Sequence, residues 1–107
     1  MKKIISSIVF SLLLSVSFLQ ADIIFDNKEL ELGGGNTIHA TLKYEYGSYV
    51  LEIHPGHNVY IGGTATGNKR TEHTMDWTVS VVGKGRWSML DASIEDVINE
   101  MLRRGLS

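Results

Sequence analysis

Between Thr71 and Val82 the chain reads Thr-Glu-His-Thr-Met-Asp-Trp-Thr-Val-Ser-Val-Val. His73, Met75, Trp77, Val79 and Val81 share one parity; Glu72, Thr74, Asp76, Thr78 and Ser80 share the other. Successive side chains on a strand point to opposite faces, so this stretch buries one side and wets the other only as a β-strand. It predicts the central strand of a sheet with one apolar face.

The same period recurs upstream. Ile38, Ala40, Leu42, Tyr44 and Tyr46 alternate with His39, Thr41, Lys43 and Glu45, and Tyr49, Leu51 and Ile53 form the matching face of a return strand. Gly47-Ser48 between them suits a type II′ hairpin, and Pro55-Gly56 ends the return strand because proline cannot donate to a central ladder. Asp22–Asn27 reads as a short strand continued by Lys28–Leu32, and Val59–Ile61 as another. Gly33-Gly34-Gly35-Asn36 reads as a flexible loop and Gly62–Arg70 as a long polar one. After a turn at Gly83-Lys84-Gly85, a last strand runs from Arg86 to Leu90.

The period then changes. Ile94, Val97, Ile98, Met101 and Leu102 fall at i, i+3, i+4, i+7 and i+8, one stripe of a helix. Ser93 and Asp96 make a capping box with Asp in place of Glu, and Arg103 and Arg104 complement the negative end of the helix dipole. Gly105 is expected as the left-handed residue just past the helix. Strands followed by one terminal helix predict an α+β fold. Its expected form is a small antiparallel, meander-like sheet of five to six strands, with one C-terminal amphipathic helix packed on one face.

The chain begins Met1-Lys2-Lys3, then runs apolar from Ile4 to Leu19 with only serines interrupting, then Gln20-Ala21. A basic start, an apolar stretch shorter than the ~20 residues of a spanning helix, and a small residue at its end are the features of a secretory signal. Residues 1–21 are therefore expected to be removed, leaving residues 22–107 as one domain without a stable membrane anchor, periplasmic or secreted. Loss of Lys2 and Lys3 leaves eight basic against twelve acidic side chains, a net charge of −4. That balance argues against nucleic acid as a partner. There is no cysteine, so no disulfide can hold the fold and no thiolate can act as nucleophile or metal ligand.

Gly62–Thr71 superficially echoes a phosphate loop, but Asn68 stands where the lysine must be, and a strand follows where a helix is required. Serines and threonines are plentiful, yet none lies in a nucleophile elbow. Glu72 and Asp76, four apart on one strand, would be separated by roughly 13 Å, too far for a paired-carboxylate glycosidase. Catalysis is not the expected role.

Recognition is. The 62–70 segment, tipped by Asn68, Lys69 and Arg70, reads as a binding loop on a rigid sheet. Tyr44, Tyr46, Tyr49 and Tyr60 read as an aromatic cluster around the hairpin, with Tyr46, Tyr49 and Tyr60 the expected contacts to a protein or an envelope glycan. The alternative is a transition-metal protein. His54 and His57 sit three apart in a turn, His73 and Met75 share a strand face with Trp77, and imidazole with thioether suits copper or zinc. On the leading reading no cofactor is needed.

Overall fold

The computed structural model describes residues 21–107. The expected secretory segment, residues 1–21, lies outside them apart from Ala21, which opens the first strand.

Six strands form one antiparallel sheet in the order β1-β2-β3-β4-β5-β6. They are β1 (Ala21–Gly33), β2 (Asn36–Glu45), β3 (Ser48–Pro55), β4 (Gly63–Lys69), β5 (Met75–Val81) and β6 (Gly85–Ala92). One helix, α1 (Ile94–Gly105), follows. This is the expected α+β meander with a terminal helix on the sheet. Each strand pairs with its sequence neighbour, so every connection is local and the alternation of each strand alone decides which face it buries.

The inner face carries Ile38, Ala40 and Leu42 of β2, Leu51 and Ile53 of β3, and Trp77, Val79 and Val81 of β5, all buried. Val97, Ile98 and Met101 of α1 are buried against it, and the helix packs chiefly on β5. Trp77 also ties the sheet to the helix entry: its Nε1 donates to Ala92 O at 2.9 Å. At the helix start the Ser93 side chain accepts from Asp96 N while Asp96 accepts from Ser93 N, so two amides with no partner inside the helix are satisfied.

Several local expectations are corrected. The 62–70 segment is mostly a strand, not a loop, and Gly63 and Gly67 are there for space: a Cβ on Gly63 would lie 2.6 Å from Ser80 O, and one on Gly67 2.7 Å from the Trp77 ring. Gly34-Gly35 is a tight two-residue hairpin turn with φ of 61° and 79°, not a flexible loop. The β2–β3 turn is centred one residue earlier than Gly47-Ser48, on Tyr46-Gly47, with φ of 53° and 80°, the pattern of a type I′ turn. Gly105 stays helical, and Leu106 caps the helix by donating to Leu102 O at 2.9 Å. A Cβ at Gly105 would meet Ile61 Cδ1 at 2.1 Å, so close approach, not left-handed geometry, explains this glycine.

Val59–Ile61 does not form a strand, although its alternation reports burial correctly: Val59 and Ile61 enter the core while Tyr60 points out. β5 begins at Met75, with Thr71–Thr74 forming the connection before it, and it lies fifth in the sheet between β4 and β6.

Candidate functional site

The meander places all connections at one of two ends. At one end lie the Tyr46-Gly47 turn, the end of β4 and the Arg70–Thr74 connection. At the other lie the Gly34-Gly35 turn, residues 56–62 and the β5–β6 turn. β3 spans the distance between them, roughly 25 Å at the rise of a strand.

The first end gathers most of the residues expected to bind. Tyr46 is 95% exposed at the turn. Ser48 Oγ donates to Asn68 Oδ1 at 2.9 Å, which fixes the Asn68 amide across the neighbouring strand and leaves its NH₂ directed away from that bond. Lys69 follows, exposed. The surface therefore combines a phenol ring, a hydroxyl, a primary amide and an ammonium group.

Arg70 belongs to a different construction. Its Nε donates to Asp76 Oδ1 at 2.8 Å and its terminal nitrogen to Asp76 Oδ2 at 3.2 Å, a two-point fork. Asp76 Oδ1 also accepts from Asp91 N at 2.9 Å, joining β4, β5 and β6. The Arg70 hydrogen bonds and the Asp91 amide hold the Asp76 carboxyl below its ordinary pKa, and Asp76 raises that of Arg70. The adjoining connection is pinned by its threonines. Thr71 Oγ1 accepts from His73 N and Thr74 N, and Thr74 Oγ1 donates to Asp91 Oδ1 at 2.5 Å. A recognition surface beside so many fixed bonds is preorganised.

Two of the three tyrosines lie elsewhere than expected. Tyr49 is 4% exposed, faces inward opposite Tyr44 with ring centroids 4.6 Å apart, and closes the end of the core. Burial, then the neighbouring Tyr44, pushes its phenol pKa up. Tyr60 is 84% exposed but sits in the 56–62 segment at the far end. At this end Tyr44 is half-buried against Tyr49, and the exposed ring is that of Tyr46.

The histidines are dispersed. His54 closes β3 with Nε2 3.5 Å from Glu52 Oε1, and His57 turns back onto β2, its N donating to Thr37 Oγ1 at 2.8 Å and its O accepting from Thr37 N. His73 lies in the Thr71–Thr74 turn at the opposite end, off the strand face that carries Met75 and Trp77, and both of those are buried. The expected set of His54, His57 and His73 is thus split by the length of the sheet. Among the described residues no three His, Cys, Asp or Glu side chains come together as an ion site.

Sequence reasoning missed the partner of His54: the register sets His39 directly opposite it. It also missed Ser48 as the support for Asn68. Hairpin register, visible only once the turn is placed on Tyr46-Gly47, finds the first; the second depends on the separate pairing of β3 with β4.

Comparison with family models, with curated proteins and with solved structures finds no match to this chain. The site has to be read from its own chemistry.

Proposed function

We propose that the domain is an exported, non-catalytic binding module, periplasmic or secreted, that recognises a protein or an envelope glycan through the end of the sheet formed by Tyr46, Ser48, Asn68 and Lys69. Tyr46 carries the reading. Its ring is 95% exposed and stabilises no core, yet its backbone is held at a φ of 53°. Left-handed backbone costs a residue with a Cβ about 1–2 kcal/mol, and type I′ turns ordinarily place Asn or Gly there. A costly residue whose ring buries nothing against the described residues is accounted for by a ring used in recognition.

The neighbouring groups fit such a use. A phenol ring offers an apolar face and a polar tip to a sugar or to a protein side chain, while the Asn68 amide and Lys69 ammonium donate hydrogen bonds beside it. Arg70 supports that surface through its fork to Asp76 and is not assigned to the contact itself.

The test uses the immobilised mature domain and a cell-envelope fraction from the parent cell. Lys69→Glu combined with Asn68→Ala should lower capture at least about tenfold, equivalent to ~1.4 kcal/mol, with an unchanged melting curve. Tyr60→Ser, at the far end, should capture as the parent does. Equal loss from Tyr60→Ser, or no loss from the paired variant, refutes the assignment.

A further inference from the structure

Among the described residues the meander is open, with an edge at β1 and another at β6, and the two are unlike. Along β1 the pairing with β2 is broken by register shifts between Ile23 and Phe25, between Phe25 and Lys28, and again near Gly33, and Asn27 takes a φ of 51°. The exposed charges of Asp26, Glu29 and Glu31 lie along it. Bulges and charge are how natural sheets keep an edge from pairing with another chain. β1 is blunted.

β6 is not. From Gly85 to Met89 it pairs with β5 in unbroken register, and the single irregularity comes afterwards, where Asp91 takes a φ of 55° before the chain turns into α1. No proline interrupts it. Among the described residues no strand lies beyond it, so its far side carries a run of backbone groups, alternate residues directing N–H and C=O outward. Leu90 is 67% exposed on it, and Trp87 and Met89 are only partly covered where they meet the core. Arg104 lies over the Trp87 ring, 4.1 Å from its centroid, and holds the ring at this margin.

We infer that β6 is a self-association edge, pairing antiparallel with β6 of a second copy about a two-fold axis through Ser88, so that two six-stranded sheets join into one of twelve. The charge distribution selects a second copy in this orientation. Lys84 in the turn just before β6 and Arg86 within it lie at its start, and its end carries Asp91, followed by Glu95 and Asp96 at the head of the helix. Antiparallel self-pairing sets the basic end of each strand beside the acidic end of the other; a parallel arrangement would bring like charges together.

Register follows from geometry. A two-fold normal to the sheet keeps each face on its own side, so residues that pair must share parity. Centring on Ser88 places Ser88 opposite its copy, Arg86 opposite Leu90, and Trp87 opposite Met89 on the helix-bearing face. The last of these is a sulfur–aromatic contact that covers both half-buried side chains. The small Ser88 at the axis sets no bulk against itself. This edge is separate from the surface formed by Tyr46, Asn68 and Lys69, and the inference stands without the binding reading.

The absence of cysteine gives a clean test. Directly opposed residues of a hydrogen-bonded antiparallel pair have Cα atoms about 5.5 Å apart, within disulfide reach. Mild oxidation of Ser88→Cys should give a covalent dimer; Arg86→Cys and Leu90→Cys should cross-link readily only when mixed. Sedimentation of the unmodified mature domain should show reversible dimerisation by about 0.1 mM, corresponding to association of more than about 5 kcal/mol. Ser88→Lys and Ser88→Glu should each be folded monomers, and an equimolar mixture should restore the dimer. A parent domain that stays monomeric at that concentration overturns the proposal. So does a dimer whose mass is unaffected by either Ser88 substitution.

Discussion

A methyl group at Gly67 would sit 2.7 Å from Cε3 and 2.8 Å from Cζ3 of Trp77. Trp77 cannot yield easily, because it is 1% exposed and its Nε1 is fixed on Ala92 O. Gly67→Ala should therefore destabilise the domain by about 2–3 kcal/mol, the scale of overpacking a close-packed core, whereas a true loop glycine with negative φ would accept alanine at little cost. Urea unfolding of the two proteins measures the difference. The same residue marks a limit of sequence reading. Glycine signals either a turn or close packing, and only the position of the neighbouring indole decides which. Gly105 misled for the same reason, its neighbour being Ile61, more than forty positions earlier in the chain.

At the scale of elements, α1 was almost fully legible because its determinants are local: the Ser93–Asp96 box, the apolar stripe and the basic last turn all follow helical spacing. β5 was legible for the same kind of reason, its alternation marking the buried face of Met75, Trp77, Val79 and Val81. β4 was hidden, because Gly63, Ala65 and Gly67 are small where a strand is expected to be bulky; Met101 of the helix fills the space at Gly63, and Trp77 of the neighbouring strand fills it at Gly67. Tyr60 and His73 were misplaced through connections, whose direction depends on which strand ends they join.

The helix also supplies a pH dependence. Glu100 accepts from Arg103 and from Arg104 Nε, the latter at 2.8 Å, and these bonds hold its carboxyl down at about 2 against an ordinary 4.5. A lowered carboxylate pKa stabilises the fold fully above the unfolded value and loses that contribution as pH falls through the folded one. The carboxylate is solvent-facing, so water and salt keep the effect modest. In low salt the melting temperature of the parent should exceed that of Glu100→Gln at pH 6. The gap should close as pH is lowered from about 4.5 to about 2. A gap that is constant over this range removes the Arg103–Glu100–Arg104 group as its source.

Residues 21–107 form a small cysteine-free sheet with one helix, and at this size burial leaves little surplus stability. Most of its apolar residues are committed to one core, which makes the departures informative. Tyr46 is held in a left-handed turn with its ring in water, and Leu90 lies exposed along an unblunted edge. Both features lie at the margins of the sheet, and neither was legible from alternation alone, which reports faces and not ends or edges. The most direct test of the binding reading is capture from the cell-envelope fraction by Tyr46→Asn. Asparagine suits the turn, so the variant should melt above the parent, by roughly 0.5–1 kcal/mol in stability, while capturing at least about tenfold less. A variant that melts higher and captures as well as the parent would contradict the assignment of this surface to recognition.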